Sequence, residues 1–149
     1  MAYKIYKGFF HPNNIGKYKG DHRKIVFRSR LEWLCMQFFD TNSNILEWSN
    51  EEIIVLYKSP LDGRTHRYFP DFWVKTRDRK GNINEMMIEV KPLSQTKEPK
   101  KGKNEKRYLM ESKVWVTNNA KWEAATEYCK KRGWQFQIIT EKDINGTDR

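Results

Sequence analysis

The sequence has few cysteines, few acidic residues and no long apolar run, and each shortage excludes a class of protein. Its two cysteines, Cys35 and Cys129, lie far apart without a partner at a metal-ligand spacing, which excludes a disulfide framework and a zinc module. No stretch reaches the length of a transmembrane helix, and the first residues form neither a signal peptide nor a lipidation signal. We therefore expect a reducing, cytosolic setting and no membrane partner.

The shortage of acidic residues leaves a large excess of positive charge. Only 19 Asp and Glu are set against 29 Lys and Arg, so the net charge is +10. Such a balance attracts polyanions and is hard to explain by a neutral small-molecule substrate. Nucleic acid is therefore the first partner to consider.

The chain of 149 residues has the length of one domain, and no internal repeat suggests a second. Residues 1–27 predict an irregular basic N-terminal arm packed on the domain, residues 28–143 form the domain itself, and 144–149 form a polar tail. Within the domain, a lysine-rich stretch at about 92–106 contains almost nothing apolar, which predicts a mobile basic loop.

Apolar residues between Leu31 and Phe39 recur at the spacing of an amphipathic helix, with Ser29 as its N-cap. Later patterns predict an antiparallel meander of three strands, then two helices and a last strand. The predicted starts are Glu51, Arg67 and Ile83 for the meander, Glu105 and Asn118 or Asn119 for the helices, and Trp134 for the last strand. The resulting element order is α-β-β-β-α-α-β.

A carboxylate in the second strand of the meander faces another in the third. Asp71 follows Pro70, and the spacing to Glu89 brings both side chains together on neighbouring antiparallel strands. Two close carboxylates need a cation, and hard oxygen ligands without Cys or His favour Mg²⁺ or Mn²⁺. Lys91 shares the face of Glu89, where it can hold a water and stabilise charge on a phosphate. The alternative is an ion pair on an exposed sheet, which contributes little stability.

The motifs PD at 70–71 and EVK at 89–91 resemble those of the PD-(D/E)XK nuclease superfamily. The resemblance implies an α/β fold with a restriction-endonuclease-like core, a central mixed sheet flanked by helices. In many members a glutamate on the first helix completes the site. The implied metal ligands are Asp71, Glu89, the backbone carbonyl of Val90 and Glu32, and the implied catalytic lysine is Lys91.

A similarity over nearly the whole length is carried by KYKGD from Lys17, FRSRLEW from Phe27, RYFPDFW from Arg67, IEVKP from Ile88 and the segment from Lys121. These segments look like those of the head completion nucleases of large contractile-tailed phages. The resemblance implies a Mg²⁺-dependent DNA nuclease that acts on packaged DNA before tail attachment. It also implies phage head or neck proteins as partners and the host cytoplasm during assembly, or the virion, as the location.

Two other functions remain open at this point. A head or neck protein could bind DNA ends electrostatically without cleaving them, and the same fold also serves Holliday-junction and transposon-end endonucleases. Cleavage of both DNA strands by a subunit with one site would need a homodimer or two encounters.

Several site residues have a second interpretation. Ser29 and Glu32 have the spacing of a capping box, in which Glu32 would bond the N-cap amide and need no metal. Arg28 and Arg30 either contact phosphate or merely flank the helix. In the basic loop, a solvated segment is the alternative to DNA contact by Lys97, Lys100, Lys101, Lys103, Lys106 and Arg107.

Overall fold

The computed structural model of the chain describes residues 7–145. Strand β1 (Gly8–Phe9) pairs antiparallel with β2 (Val26–Phe27), and a 3₁₀ helix (Ile15–Lys17) lies between them. Apart from these short elements the described part of the predicted arm is irregular, and its apolar side chains pack into the domain. Residues 1–6 of that arm lie outside the described residues. The side chains that enter the core are those of Phe10, Tyr18 and Ile25.

Helix α1 (Arg30–Thr41) begins and ends where its sequence pattern predicts. The Ser29 hydroxyl accepts a hydrogen bond from the Glu32 amide, which satisfies one of the unpaired donors of the first turn. The buried face of α1 carries Cys35, Met36 and Phe39, which pack against the central sheet.

The remaining strands form a central sheet and a separate hairpin. They are β3 (Ile45–Asn50), β4 (Val55–Lys58), β5 (Thr65–Tyr68), β6 (Phe72–Arg77), β7 (Ile83–Val90) and, after α2 (Glu105–Arg132), β8 (Gln135–Ile139). The sheet order is β3-β6-β7-β8, with antiparallel pairs except for the parallel pair β7-β8. The predicted central mixed sheet flanked by helices is confirmed.

The predicted place of the first meander strand in the sheet is wrong. The chain after Glu51 forms β4, which pairs with β5 in a separate hairpin, whereas β3 takes the place beside β6. Glu51 has a left-handed backbone (φ 54°), which ends β3 and redirects the chain. The predicted strand from Arg67 is likewise two strands in two sheets, broken at Pro70, whose ring removes a donor from the ladder.

Helix α2 is one continuous helix, although the sequence predicted two. Asn118 is buried and Asn119 donates from its side chain to the Trp115 carbonyl, so neither acts as a cap. Gly133 ends the helix in the left-handed conformation (φ 71°), as predicted. A short helix α3 (Glu141–Asn145) covers the start of the predicted polar tail. The rest of the tail, 146–149, lies outside the described residues.

Helices pack on both faces of the sheet, so the domain has three layers. Ile88 and Val90 of β7 point toward α1, while Met87 of the same strand points toward α2. A 3₁₀ helix (Leu93–Thr96) follows β7 and leads the chain toward α2. Between residues 7 and 145, no helix is long and apolar enough to cross a membrane.

Candidate active site

The pairing of β6 with β7 places Asp71 directly across from Glu89. Phe72 is opposite Ile88 in the register, and Asp71 precedes Phe72 by one residue. The Asp71 amide donates to Glu89 Oε1 at 3.4 Å, and the Val90 amide donates to Asp71 Oδ2 at 2.7 Å. The structure thus brings together the two carboxylates that the sequence predicted as neighbours.

Lys91 lies on the same face of β7 as Glu89. Its Nζ is 3.7 Å from Glu89 Oε2, and its amide donates to the Ile139 carbonyl, which fixes the strand end against β8. The Glu89 side chain is only 6% exposed and that of Lys91 26% exposed. The pair therefore differs from an ion pair on an open sheet surface, because the Glu89 side chain is buried and that of Lys91 is partly buried.

Glu32 reaches the same region from α1. Its Oε2 accepts from the Arg28 amide at 3.2 Å and from the Ser29 hydroxyl at 3.1 Å. The expected capping box is therefore modified, because the carboxylate bonds the amide before the N-cap rather than the N-cap amide itself. These two bonds orient the Glu32 carboxylate at the N-terminal end of α1, close to the sheet.

Glu51 is a site residue that sequence reasoning missed. One carboxylate oxygen each of Glu51, Glu32 and Asp71 lies within 4.8 Å of the other two. The β3-β6 register explains this placement, since Asn50 is opposite Phe72 and the Glu51 amide donates to the Asp71 carbonyl at 3.1 Å. The Glu51 carboxylate also forms an ion pair with the Arg28 guanidinium.

The electrostatics of the cluster favour a bound cation. Burial raises the pKa of Asp71 well above its usual range, and the negative charge of Glu89 raises it further. Burial also raises the pKa of Glu32. Carboxylate oxygens without a sulfur or imidazole donor form the ligand set that Mg²⁺ and Mn²⁺ prefer, so the residues fit such an ion. Glu89 is not part of the group formed by Glu32, Glu51 and Asp71. Its carboxylate contacts the Lys91 ammonium.

The predicted DNA-binding residues are divided between two places. Arg28 lies at the site through its bonds to Glu32 and Glu51, whereas Arg30 is exposed in the first turn of α1. The others are exposed along the segment that ends in the first turn of α2: Lys97, Lys100, Lys101, Lys103, Lys106 and Arg107. Their contact with DNA stays a prediction.

Residues 42–141 match the TnsA-like endonuclease N-terminal domain family. The chain belongs to this endonuclease family. It is also 38% identical over 144 residues to the head completion nuclease of Enterobacteria phage T4, and the similarity covers 93% of each chain. The fold is accordingly the restriction-endonuclease-like fold that the PD and EVK motifs implied. Glu51, Asp71, Glu89 and Lys91 lie within the matched range, whereas Glu32 precedes it.

Two substitutions of Glu51 should separate the effect of its charge on the metal site from the effect of its backbone conformation on stability. Glu51→Gln keeps the left-handed backbone but removes one charge from the cluster, so it should raise the Mg²⁺ concentration that half-saturates cleavage by roughly 10- to 100-fold. Glu51→Gly relieves a backbone strain of about 1–3 kcal/mol, partly offset by chain entropy, and should unfold at the same or a higher temperature. A Mg²⁺ titration and thermal unfolding of both variants check this. An unchanged Mg²⁺ requirement in Glu51→Gln would exclude Glu51 from the site.

Proposed function

We propose that the protein is a Mg²⁺-dependent DNA nuclease that hydrolyses phosphodiester bonds, with Mn²⁺ as an alternative ion. The observation that carries this proposal is the contact of Asp71, Glu89 and Lys91 at the joined ends of β6 and β7. Glu32 and Glu51 add two carboxylates beside Asp71, in a chain with a net charge of +10. A buried acidic centre within a basic protein suits a polyanionic substrate that is bound together with a divalent cation.

The carboxylates of Asp71, Glu32, Glu51 and Glu89, with the Val90 carbonyl, would hold the ion. When bound, Mg²⁺ would supply Lewis-acid stabilisation of charge on the scissile phosphate. The Val90 amide fixes one oxygen of Asp71 and so orients the carboxylate. Glu89 holds the Lys91 ammonium at the site, where it can hydrogen-bond the attacking water and stabilise negative charge on the phosphate.

The biological role follows from the similarity to the phage T4 protein, whose name describes head completion. We propose that the substrate is DNA packaged in a phage head, that cleavage precedes tail attachment, and that head or neck proteins are partners. The host cytoplasm during assembly, or the virion, is the proposed location. A homodimer would place two sites on opposite DNA strands. The alternatives are a non-catalytic DNA-binding head or neck protein and a Holliday-junction or transposon-end endonuclease.

The proposal is tested by incubating purified protein with linear, nicked and supercoiled DNA. Cleavage should require Mg²⁺ or Mn²⁺, fall when Ca²⁺ replaces them, and stop in EDTA. The forms cleaved distinguish attack at DNA ends from attack within a strand. Binding of all three forms without cleavage at any divalent cation would instead support the non-catalytic head or neck protein.

The lysine-rich segment gives a prediction about affinity. Neutralising Lys100, Lys101 and Lys103 to Gln should weaken duplex binding regardless of sequence, because each lost phosphate contact lowers the log-log salt slope by about 0.9. Binding measured across a salt series with a catalytically inactive variant gives this slope.

A matched control removes the same charge elsewhere. Arg79, Lys80 and Lys130 are exposed near the opposite end of β7 from Lys91, and their replacement by Gln should leave the slope nearly unchanged. Equal slopes for the two triple variants would show that the segment at 100–103 only adds general positive charge.

A further inference from the structure

The face of α2 that packs against the sheet continues past the sheet and lines a cleft. The buried residues of α2 begin at its midpoint and are Asn118, Trp122, Ala125 and Cys129. The same helical face runs back through Trp115, Val114, Glu111, Met110 and Arg107, at the spacing of one amphipathic stripe. In the first half of α2, this stripe faces open space rather than the sheet.

The cleft has a volume of about 930 Å³, and its other wall is the segment from Leu93 to Lys100. Leu93 follows Lys91 by two residues, so this wall starts next to the candidate active site. The Leu93 amide donates to both carboxylate oxygens of Glu141 at 3.1 Å, which fixes the start of the wall to α3. A molecule lying in the cleft would therefore extend from the active site along α2.

The cleft combines an apolar floor with charged residues of both signs. Met110 is 63% exposed and Val114 53% exposed, and both point into it beside the partly buried ring of Trp115. Lys97, Lys100 and Arg107 line the cleft, and the exposed Lys101, Lys103 and Lys106 make the bordering segment basic. Of the acidic residues in the lining, Glu111 accepts a hydrogen bond from Arg107 at 2.7 Å and Glu141 is bonded to the Leu93 amide, while Glu98 is exposed.

We propose that this cleft binds unpaired nucleotides at a DNA strand end, an inference that rests on the proposed nuclease function. The base surfaces of duplex DNA are stacked on one another, so the duplex exposes phosphates rather than flat apolar surfaces that could pack on this floor. An unpaired strand exposes flat base surfaces that can lie on Met110, Val114 and Trp115, while its phosphates meet the cations. The substrate class is therefore DNA with a single-stranded or frayed end beside the cleavage point.

Charge also favours a nucleic acid over a second copy of the chain. Two copies that met through this surface would bring together their lysine-rich segments at 97–107, and each chain carries a net charge of +10. A strand end supplies the negative charge that complements them. A second copy of the chain in the cleft would show itself as a concentration-dependent dimer.

The test measures binding in EDTA, where metal-dependent cleavage cannot occur. Fluorescence anisotropy compares a short oligo-dT strand with a blunt duplex of the same length. Met110→Ser combined with Val114→Ser should weaken single-strand binding roughly tenfold and leave duplex binding within about twofold. Both side chains are exposed, so thermal unfolding should be unchanged. The control is Leu109→Ser with Val116→Ser, two exposed residues of the same helix half that do not line the cleft and should affect neither form of DNA.

An unchanged single-strand affinity, or equal losses for both forms of DNA, would overturn the inference. So would a concentration-dependent dimer that the cleft variant abolishes while single-strand binding persists. The result is independent of the nuclease test. Wild-type cleavage without selective loss of single-strand binding would refute only the cleft, whereas selective loss in a protein that never cleaves would refute only the proposed function.

Discussion

An Asp71→Asn variant should lose DNA cleavage by a factor of roughly 10² to 10³ while keeping its fold. Asp71 is the carboxylate that the others surround, since its oxygens lie near those of Glu32 and Glu51 and its amide meets Glu89. Asn can still accept the hydrogen bond from the Val90 amide, so the change removes charge and little else. Initial rates on linear DNA with saturating Mg²⁺ measure the loss.

Stability provides the control for this variant. A raised pKa means that the folded protein holds a proton on Asp71 more tightly than the unfolded chain, whose Asp titrates near pH 3.9. Without metal, the free energy of unfolding therefore falls as pH rises from about 4 toward the raised folded pKa. The variant cannot ionise at that position, so in EDTA at neutral pH it should be at least as stable as wild type. A less stable Asp71→Asn variant would make its lost activity uninterpretable, whereas a stable variant with wild-type activity would refute the assignment.

Lys91→Ala should also lose DNA cleavage, because Lys91 is the residue proposed to hold the attacking water. The ammonium lies against Glu89 and is partly buried, and its removal should lower the cleavage rate by a similar factor. Lys91→Arg keeps the charge but changes the shape of the donor, so it should recover little activity. Full activity in Lys91→Ala would leave Lys91 only as a partner of Glu89.

The sequence predicted the parts of the site that local spacing determines. The i, i+2 spacing of Glu89 and Lys91 on a strand and the capped start of α1 each depend on a few neighbouring residues. Glu51 could not be placed in this way. Its position depends on the β3-β6 register and on a left-handed residue that is not glycine, for which its own segment carries no signal.

Local preferences also explain two of the differences in the helices and strands. Asn118 and Asn119 favour helix caps in isolation. In the protein, Asn118 is buried on the same face of α2 as Trp122 and Ala125, and the helix continues through both residues. The β-branched residues after Glu51 favour a strand, and they do form one, yet its partner is β5 in a separate hairpin. Strand existence was predictable, whereas the choice of partner depends on tertiary contacts.

Glu32→Gln should separate the two roles that the sequence left open for this residue. Gln can serve at the third position of a helix and still accept a hydrogen bond from the Arg28 amide, but it lacks the charge that a metal site needs. If Glu32 helps to hold the ion, the variant should unfold near the wild-type temperature, cleave roughly 10- to 100-fold more slowly and need more Mg²⁺. Thermal unfolding and a Mg²⁺ titration of the cleavage rate measure these effects.

Ser29→Ala is the matched control because it removes the cap and one of the two bonds that orient the Glu32 carboxylate, while the carboxylate keeps its charge and its bond from the Arg28 amide. The lost bond to the Glu32 amide should lower the free energy of unfolding by about 0.5–2 kcal/mol, while cleavage at saturating Mg²⁺ changes little below the melting temperature. A fully active Glu32→Gln enzyme would assign Glu32 to the cap alone and leave Glu51, Asp71 and Glu89 as the acidic residues of the site. We expect the opposite pair of results, a stable but slow Glu32→Gln and a less stable but active Ser29→Ala, because the Glu32 carboxylate lies within 4.8 Å of Asp71 as well as at the helix start.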